Sequence, residues 1–306
     1  MADPALTSGQ KLRYGAEAAL FFLFVGFFRL IGVDAASFVG GLIGRHVLYH
    51  LGWARKAHAN LAAAFPEKSL AEREAIVADV CRNVGRTAAE YAHLDKFDMT
   101  GRAPRIAVEN LDIAEEMRGK GVLMLSGHFA NWEIMPIAAQ EFGLEGGIVY
   151  RPPNNPYVDR FIARARAVKG FKEQISKHQG TRRIFTLLRG GKAILLLADQ
   201  KTNEGIPAPF FGRDAMTTPA PAALALKLKA PVYFASNRRG RGARFTITVH
   251  PALQFTPSGD YDRDVRDLTI AINAKLEEMV RAHPEQWLWI HRRWPTARDV
   301  NTGKRS

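Results

Sequence analysis

Cysteine is nearly absent from this sequence of 306 residues, which contains only Cys81. A single cysteine excludes an intramolecular disulfide and a cysteine-rich zinc site, and it fits a reducing compartment without proving one. Charged residues make up 24% of the chain and hydrophobic residues 47%. That balance excludes wholesale disorder and collagen-like structure, and the length allows one large domain or two small ones.

Several motifs of nucleotide, metal and hydrolase sites are also missing. The sequence has no G-x-G-x-x-G, no P-loop and no H-E-x-x-H, and Ser126 lies in Leu-Ser-Gly-His rather than G-x-S-x-G. His46 and His50 are four residues apart, a spacing that metal ligands use, but no third ligand lies nearby in the sequence. We interpret these two histidines as packing or headgroup-contacting residues.

Acidic residues are scarce in the second half of the chain. The formal net charge is +13, with 43 basic and 30 acidic residues. Residues 1–150 carry 15 basic and 17 acidic side chains, whereas residues 151–306 carry 28 and 13. Such a basic half attracts phosphates, acidic lipids, nucleic acid or acidic proteins, and a merely solvated basic surface is the alternative.

No uninterrupted apolar run is long enough for a clean membrane span. Residues 18–28 are apolar, and extension to residue 33 gives a helix of roughly 24 Å, shorter than the hydrocarbon core of about 30 Å. Residues 35–53 are again apolar and rich in glycine. We predict that residues 1–53 form hydrophobic helices that anchor the protein on a membrane, ahead of a domain at residues 54–306. A cleaved secretory signal and two buried core helices are the alternatives.

The rest of the chain is typical of an α/β protein. Residues 55–94 are patterned as helix, with a possible capping box at Ser69 and Glu72. Strands are predicted at residues 122–125, 147–150, 193–198, 232–235 and 244–249. Helices are predicted at residues 131–142, 157–168, 181–189, 219–228 and 263–282. This alternation predicts a mixed, mostly parallel sheet flanked by helices.

A histidine and a glutamate flank the turn after the first of these strands. His128 and Glu133 are five residues apart, which on one continuous helix would set them roughly 140° apart around the axis. They can meet only if His128 lies in the turn before the helix, and Gly127 and the N-cap candidate Asn131 favour such a break. Glu133 would then hold one imidazole nitrogen while the other accepts a proton from a hydroxyl. The bare spacing also arises by chance.

The residues around His128 resemble a known family. H-x-x-x-x-[DE] at a strand-to-helix turn is the signature of glycerolipid acyltransferases, and the string HFANWE is similar to that of the late acyltransferases of lipid A biosynthesis. Further blocks resemble the same family, in order, along most of the chain. They are residues 60–67, 150–152 with 155–156, 198–201, 209–212 with 217–218, and 289–294. The branch also includes acyltransferases acting on mannosylated phosphoinositides, so the resemblance leaves the acceptor open.

The resemblance implies a reaction in which an acyl chain moves from a thioester to a lipid hydroxyl. The donor would be acyl carrier protein or coenzyme A, and the acceptor a lipid A precursor. The resemblance makes His128 the general base and Glu133 the carboxylate that orients it. Because a thioester is already activated, no metal and no organic cofactor are expected.

Five further residues form the expected substrate-binding set. The resemblance implies a binding or oxyanion-stabilising role for Arg151 and an acidic position, with a positioning or supporting role, for Asp199. Each follows a predicted strand, and a plain salt bridge between them is the alternative. Asn131 belongs to the same string as His128. Arg160 and Arg164, one helical turn apart, suit lipid phosphates or an acidic carrier protein, or form only a solvated face.

The charge distribution fits this reaction at a membrane surface. A phosphorylated acceptor, an acidic carrier and an anionic leaflet would all meet the basic half. The resemblance, which is to enzymes of Gram-negative inner membranes, implies the cytoplasmic face of that membrane. The competing class is a non-enzymatic basic protein that binds nucleic acid or anionic membrane. Because the basic residues are scattered and form no recognisable nucleic-acid module, we expect no nucleic-acid partner.

Overall fold

The computed structural model describes residues 6–176 and 180–294, and these residues form a seven-stranded sheet and a separate two-stranded hairpin. The strands are β1 Ile106–Glu109, β2 Leu123–Ser126, β3 Gly146–Tyr150, β4 Glu173–Ser176, β5 Ala193–Leu197, β6 Ile206–Phe210, β7 Arg213–Thr217, β8 Val232–Arg239 and β9 Phe245–His250. The sheet order is β1-β9-β8-β2-β5-β3-β4, and every neighbouring pair is parallel except β8 and β9. The predicted mixed, mostly parallel sheet is confirmed.

Helices flank this sheet and precede it in the chain. They are α1 Ser8–Leu30, α2 Val33–His46, α3 Gly52–Ala64, α4 Leu70–Glu90, α5 Leu111–Glu116, α6 Met135–Glu141, α7 Pro156–Ala167, α8 Thr181–Arg189, α9 Ala220–Leu228 and α10 Tyr261–Ala282. The predicted capping box begins α4, because Ser69 accepts from the backbone N–H of Glu72 and the Glu72 carboxylate accepts from that of Ser69.

The elements that the sequence pattern did not predict are short or polar. β4 reads Glu-Gln-Ile-Ser, and β6 contains two prolines, so neither carries the apolar run or alternation by which strands are recognised. The predicted helix at residues 131–142 is interrupted, since a 3₁₀ turn at Trp132–Ile134 precedes α6. All five predicted strands are present within a few residues of their expected bounds.

The core consists of two apolar layers, one on each face of the sheet. Successive side chains of β2 alternate between them: Leu123 and Leu125 join one layer and Met124 the other. All three are at most 4% exposed. Burial on both faces explains why the central strands read as continuous apolar runs.

Glycines bring α2 and α4 into close contact. A Cβ at Gly44 would lie 2.1 Å from the carbonyl oxygen of Cys81, and one at Gly85 would lie 2.1 Å from that of Gly40. Two ion pairs, Asp34–Arg105 at 2.7 Å and Arg29–Asp95, also tie the first two helices to the rest of the chain. A domain boundary at residue 53 stays a prediction.

α1 leaves much of its apolar surface exposed. Leu20 and Leu23 are 70% and 71% exposed, whereas Ala18 and Phe28 are buried. No helix within residues 6–176 and 180–294 has the length and apolar character needed to cross a membrane.

The α2–α4 contact makes a testable prediction about stability. Gly44→Ala should lower the free energy of unfolding by about 1–3 kcal/mol, because the added methyl overlaps the backbone of α4. Gly26→Ala in α1 is the matched control, since a Cβ there meets nothing within 4 Å. Alanine has the higher helix propensity, so the control should keep or slightly raise stability. Urea denaturation compares the two variants, and equal midpoints would contradict the contact.

Candidate active site

Three predicted site residues follow neighbouring strands at one edge of the sheet. β2, β5 and β3 are adjacent and parallel, and His128, Asp199 and Arg151 come directly after them in the chain. The carboxyl ends of parallel strands meet at the same edge, where ligands of open α/β sheets bind. The expected clustering of strand ends is therefore present in the topology.

The turn that carries His128 has the predicted break before the helix. The side chain of Asn131 caps the 3₁₀ turn by accepting from the backbone N–H of Glu133 at 3.1 Å. Ala130 is in the left-handed region at φ 45°, a conformation that a residue with a Cβ rarely adopts. Asn131 itself has no exposed surface, so in this structure it holds the turn, and its binding role stays a prediction.

Asp199 is the carboxylate that holds His128. Its Oδ1 lies 2.8 Å from His128 Nδ1, and its Oδ2 accepts from the His128 backbone N–H at 2.8 Å. The indole N–H of Trp287 donates to the same Oδ2 at 2.7 Å. Burial alone would raise the pKa of Asp199, but the charge of His128 and these hydrogen bonds outweigh it and hold the pKa at about 2.

These contacts arrange His128 as a proton acceptor at its second nitrogen. A carboxylate at Nδ1 favours the tautomer with its proton on that atom, which leaves the lone pair on Nε2. The amide nitrogen of Gln200 lies 3.2 Å from Nε2 and donates to that lone pair. The His128 side chain is 16% exposed, so the ring is mostly but not fully buried.

Glu133 has a different partner from the one expected. Its Oε2 lies 2.6 Å from Arg166 Nε and its Oε1 2.7 Å from Arg166 Nη2. Trp132, whose ring centroid is 5.0 Å from that of His128, donates its indole N–H to Oε1 at 3.1 Å. Burial would raise the pKa of Glu133, but the charge and hydrogen bonds of Arg166 lower it below its ordinary value. The expectation that Glu133 orients His128 is corrected, because Asp199 occupies that position.

The three remaining arginines lie on the surface. Arg151 is exposed, and the alternative salt bridge with Asp199 is replaced by the contact of Asp199 with His128. Arg160 and Arg164 are exposed on α7, where Arg160 Nε donates to the carbonyl of Pro156 at 3.2 Å. Their binding roles stay predictions.

Sequence reasoning missed Arg166, Trp287 and the role of Gln200. Arg166 follows Arg164 by two residues, and its side chain, 15% exposed, contacts the buried Glu133. It is one of several arginines on α7, and no feature of the sequence distinguished it from the others. Gln200 stands beside Asp199 in a block that resembles the family, and this position was the available hint.

The blocks that resemble the family also contact one another. The amide of Asn60 donates to the carbonyl oxygens of Trp289 and His291. The buried guanidinium of Arg293 donates to the hydroxyl of Thr217 at 3.0 Å and to the carbonyl of Met216 at 3.1 Å. Segments that are distant in sequence thus pack together near the site.

The buried Glu133–Arg166 pair makes a second prediction. Arg166→Met should lower the free energy of unfolding by about 3–5 kcal/mol, because it leaves a buried carboxylate without its partner. The double variant Glu133→Gln, Arg166→Met should be more stable than Arg166→Met alone. Both are compared by thermal denaturation.

A more exposed ion pair between α8 and β4 serves as the control. Arg183 and Glu173 lie 2.8 Å apart with side chains 50% and 36% exposed, so Arg183→Met should cost less than about 1 kcal/mol. A loss as large as that of Arg166→Met would show that burial does not explain the difference.

Comparison with known proteins identifies the family of this chain. The model of the bacterial lipid A biosynthesis acyltransferase family matches residues 6–296. The chain is 25% identical over 248 residues to the lipid A biosynthesis palmitoleoyltransferase of Escherichia coli K12, covering 78% of each chain. It is 28% identical to the myristoyltransferase of the same organism, over 77% of this chain and 73% of the relative. It is 26% identical to the lauroyltransferase, over 79% of each. The chain therefore belongs to the bacterial lipid A biosynthesis acyltransferase family, and it is an acyltransferase.

Proposed function

We propose that this protein transfers a fatty acyl chain from a thioester of acyl carrier protein or coenzyme A to a hydroxyl of a lipid A precursor. The observation that carries this proposal is the contact of His128 Nδ1 with Asp199, which leaves Nε2 of this partly exposed side chain as a proton acceptor. The relatives transfer lauroyl, myristoyl or palmitoleoyl groups in lipid A biosynthesis, according to their names. They agree on the acceptor pathway and differ in the acyl chain.

His128 serves as the general base in this reaction. Its Nε2 takes the proton of the acceptor hydroxyl, whose oxygen attacks the thioester carbonyl carbon. The resulting tetrahedral intermediate collapses, the carbon–sulfur bond breaks, and the leaving sulfur receives the proton from Nε2. The amide of Gln200 donates to this nitrogen in the present conformation, so the acceptor hydroxyl replaces it when it binds.

Asp199 and Glu133 support the base in different ways. Asp199, with a pKa of about 2, remains ionised at neutral pH, fixes the tautomer of His128 and stabilises the imidazolium that forms. Glu133 acts on His128 indirectly. It accepts a hydrogen bond from the indole of Trp132, whose ring packs edge-on against His128. Arg166 keeps Glu133 ionised and in place.

The exposed arginines supply positive charge to the acidic partners. Arg151 follows β3 at the edge of the sheet that carries His128, and Arg160 and Arg164 lie on α7, the helix that follows the same strand. Phosphates of a lipid A precursor and the acidic surface of a carrier protein are suited to such a surface.

Replacement of the base or its partner should abolish most turnover. His128→Ala and Asp199→Asn should each reduce the rate about 10²–10⁴-fold, because the proton acceptor or its orienting charge is lost. Asp214→Asn, at an exposed position of β7, is the control and should retain activity. The assay is release of free thiol from the acyl thioester upon addition of lipid A precursor.

The choice of acceptor in this assay separates the alternatives. A glycerophospholipid and a mannosylated phosphoinositide are tested beside the lipid A precursor. Turnover with either of these and none with the lipid A precursor would overturn the acceptor assignment while leaving His128 as base. Near-normal turnover in His128→Ala would overturn the mechanism.

We also propose that α1 docks on the cytoplasmic face of the inner membrane without spanning it. Leu20, Leu23 and Leu30 are 70%, 71% and 86% exposed, and a helix with such an apolar surface lies in the lipid interface. On another part of α1, Phe21 and Phe22 pack edge-on against Phe161 of α7. That contact places the exposed apolar surface beside the helix carrying Arg160 and Arg164.

Charges introduced on α1 test this docking. Leu20→Glu combined with Leu23→Glu should reduce co-sedimentation with vesicles of anionic and zwitterionic phospholipids, because two buried carboxylates would be required in the interface. Leu70→Glu is the control, since Leu70 is 62% exposed but lies at the start of α4. Turnover on a detergent-dispersed acceptor should persist in both. Unchanged sedimentation of the double variant would contradict docking through α1.

A further inference from the structure

A buried ion pair lies behind the turn that carries His128. Glu90, the last residue of α4, has no exposed surface, and Arg239, the last residue of β8, has a side chain 5% exposed. The guanidinium of Arg239 donates to Glu90 Oε1, to the amide oxygen of Asn83 at 2.8 Å and to the hydroxyl of Thr87 at 3.2 Å. The proposed mechanism assigns these groups no role.

The partners of this pair bind the backbone of the turn. The carbonyl of Ala130 accepts from the amide of Asn83 at 3.1 Å and from the hydroxyl of Thr87 at 2.9 Å. Glu90 Oε2 accepts from the side-chain amide of Asn131 at 2.9 Å. The turn two and three residues after His128 is therefore held by side chains that the ion pair itself orients.

Ala130 needs this support because of its backbone conformation. Its φ of 45° is in the left-handed region, which is unfavourable for residues with a Cβ and persists only where the surroundings fix it. With Ala130 held so, the chain reverses after His128 and Asn131 can cap the following 3₁₀ turn.

The same arginine also reaches the other half of the site. The backbone N–H of Arg239 donates to Gln286 Oε1 at 2.6 Å, and the carbonyl of Gln286 accepts from the N–H of Ala130 at 2.8 Å. Gln286 precedes Trp287, whose indole holds Asp199 at 2.7 Å. Arg239 is thus connected by hydrogen bonds both to the turn after His128 and to the segment that binds Asp199.

We infer that Glu90 and Arg239 are positioning residues for catalysis, which fix the distance between His128 and Asp199. This inference rests on the proposed role of His128 as base. Stability alone does not explain the pair, because buried ion pairs can often be replaced by apolar residues without loss of stability. Apolar side chains could not, however, orient Asn83, Thr87 and Asn131.

That difference gives the test. The double variant Glu90→Leu, Arg239→Met removes both charges and should be more stable than either single variant, because neither charge is left unpaired. It should nevertheless lose about 10²-fold in kcat, the effect of a misplacement near 1 Å at a reacting group. KM should change much less, because neither residue lies where a substrate binds.

The control is a second ion pair that ties α2 to the same domain. Asp34 and Arg105 lie 2.7 Å apart, and their hydrogen bonds reach Ala243 rather than the His128 turn. Asp34→Asn with Arg105→Met should leave kcat nearly unchanged. A loss of kcat equal to that of the Glu90 and Arg239 double variant would overturn the inference.

A spectroscopic readout separates this inference from the proposed function. The Nδ1 proton of His128, hydrogen-bonded to Asp199, should give a low-field resonance that is absent in His128→Ala. It should shift or broaden in the Glu90→Leu, Arg239→Met variant but not in the control. If His128→Ala keeps its turnover, the proposed base is wrong, while this resonance still reports positioning. An unchanged resonance together with unchanged kcat in the double variant would overturn the positioning role.

Discussion

The parallel register between β2 and β5 is the constraint on which the site depends. Ser126 pairs with Leu197, and His128 and Asp199 each lie two residues beyond that pair. Because the two parallel strands end in register at the same edge of the sheet, the residues that follow them lie opposite each other. Gly127 permits the close approach, since a Cβ there would lie 2.7 Å from the ring of Phe129 and 3.1 Å from Asp199 Oδ2. The base and its carboxylate are therefore neighbours through strand pairing rather than through a helix.

This origin explains which part of the site could be predicted from sequence. The strand before His128, the turn at Gly127 and the N-cap at Asn131 are local features, and all three are present. The partner of His128 is separated from it by 71 residues, and its position depends on strand order, which spacing along the chain does not reveal. Closeness in sequence favoured Glu133 as the carboxylate that orients His128, whereas strand pairing in the sheet brings Asp199 to that position. The short strand β4 and the hairpin of β6 and β7 were missed for a related reason, because their pairing rather than their apolar pattern makes them strands.

The two ion pairs near the site have the same relation to His128. Glu133–Arg166 and Glu90–Arg239 both remove charges from water, and each residue is tolerable only while its partner remains. In both pairs the carboxylate has an additional donor that leads towards His128. Trp132 binds Glu133, and Asn131 binds Glu90. The charged groups therefore orient the polar side chains around them through hydrogen bonds. Apolar side chains could not do so, because dispersion contacts have little directionality.

α2 is hydrogen-bonded to the Glu90–Arg239 ion pair and its partners. The N-terminal helices are therefore not independent of the rest of the described chain. The hydroxyl of Ser37 on α2 donates to Glu90 Oε1 at 2.6 Å and accepts from Arg86 Nε at 2.9 Å. Gly44 contacts the backbone of α4 too closely for any side chain. Removal of α1 would uncover Phe161 on α7, against which Phe21 and Phe22 pack. Removal of α2 would take a hydrogen-bond donor, Ser37, from the fully buried Glu90. α2 therefore has an exposed side that carries Phe38 and a buried side on which Ser37 binds the polar interior behind His128.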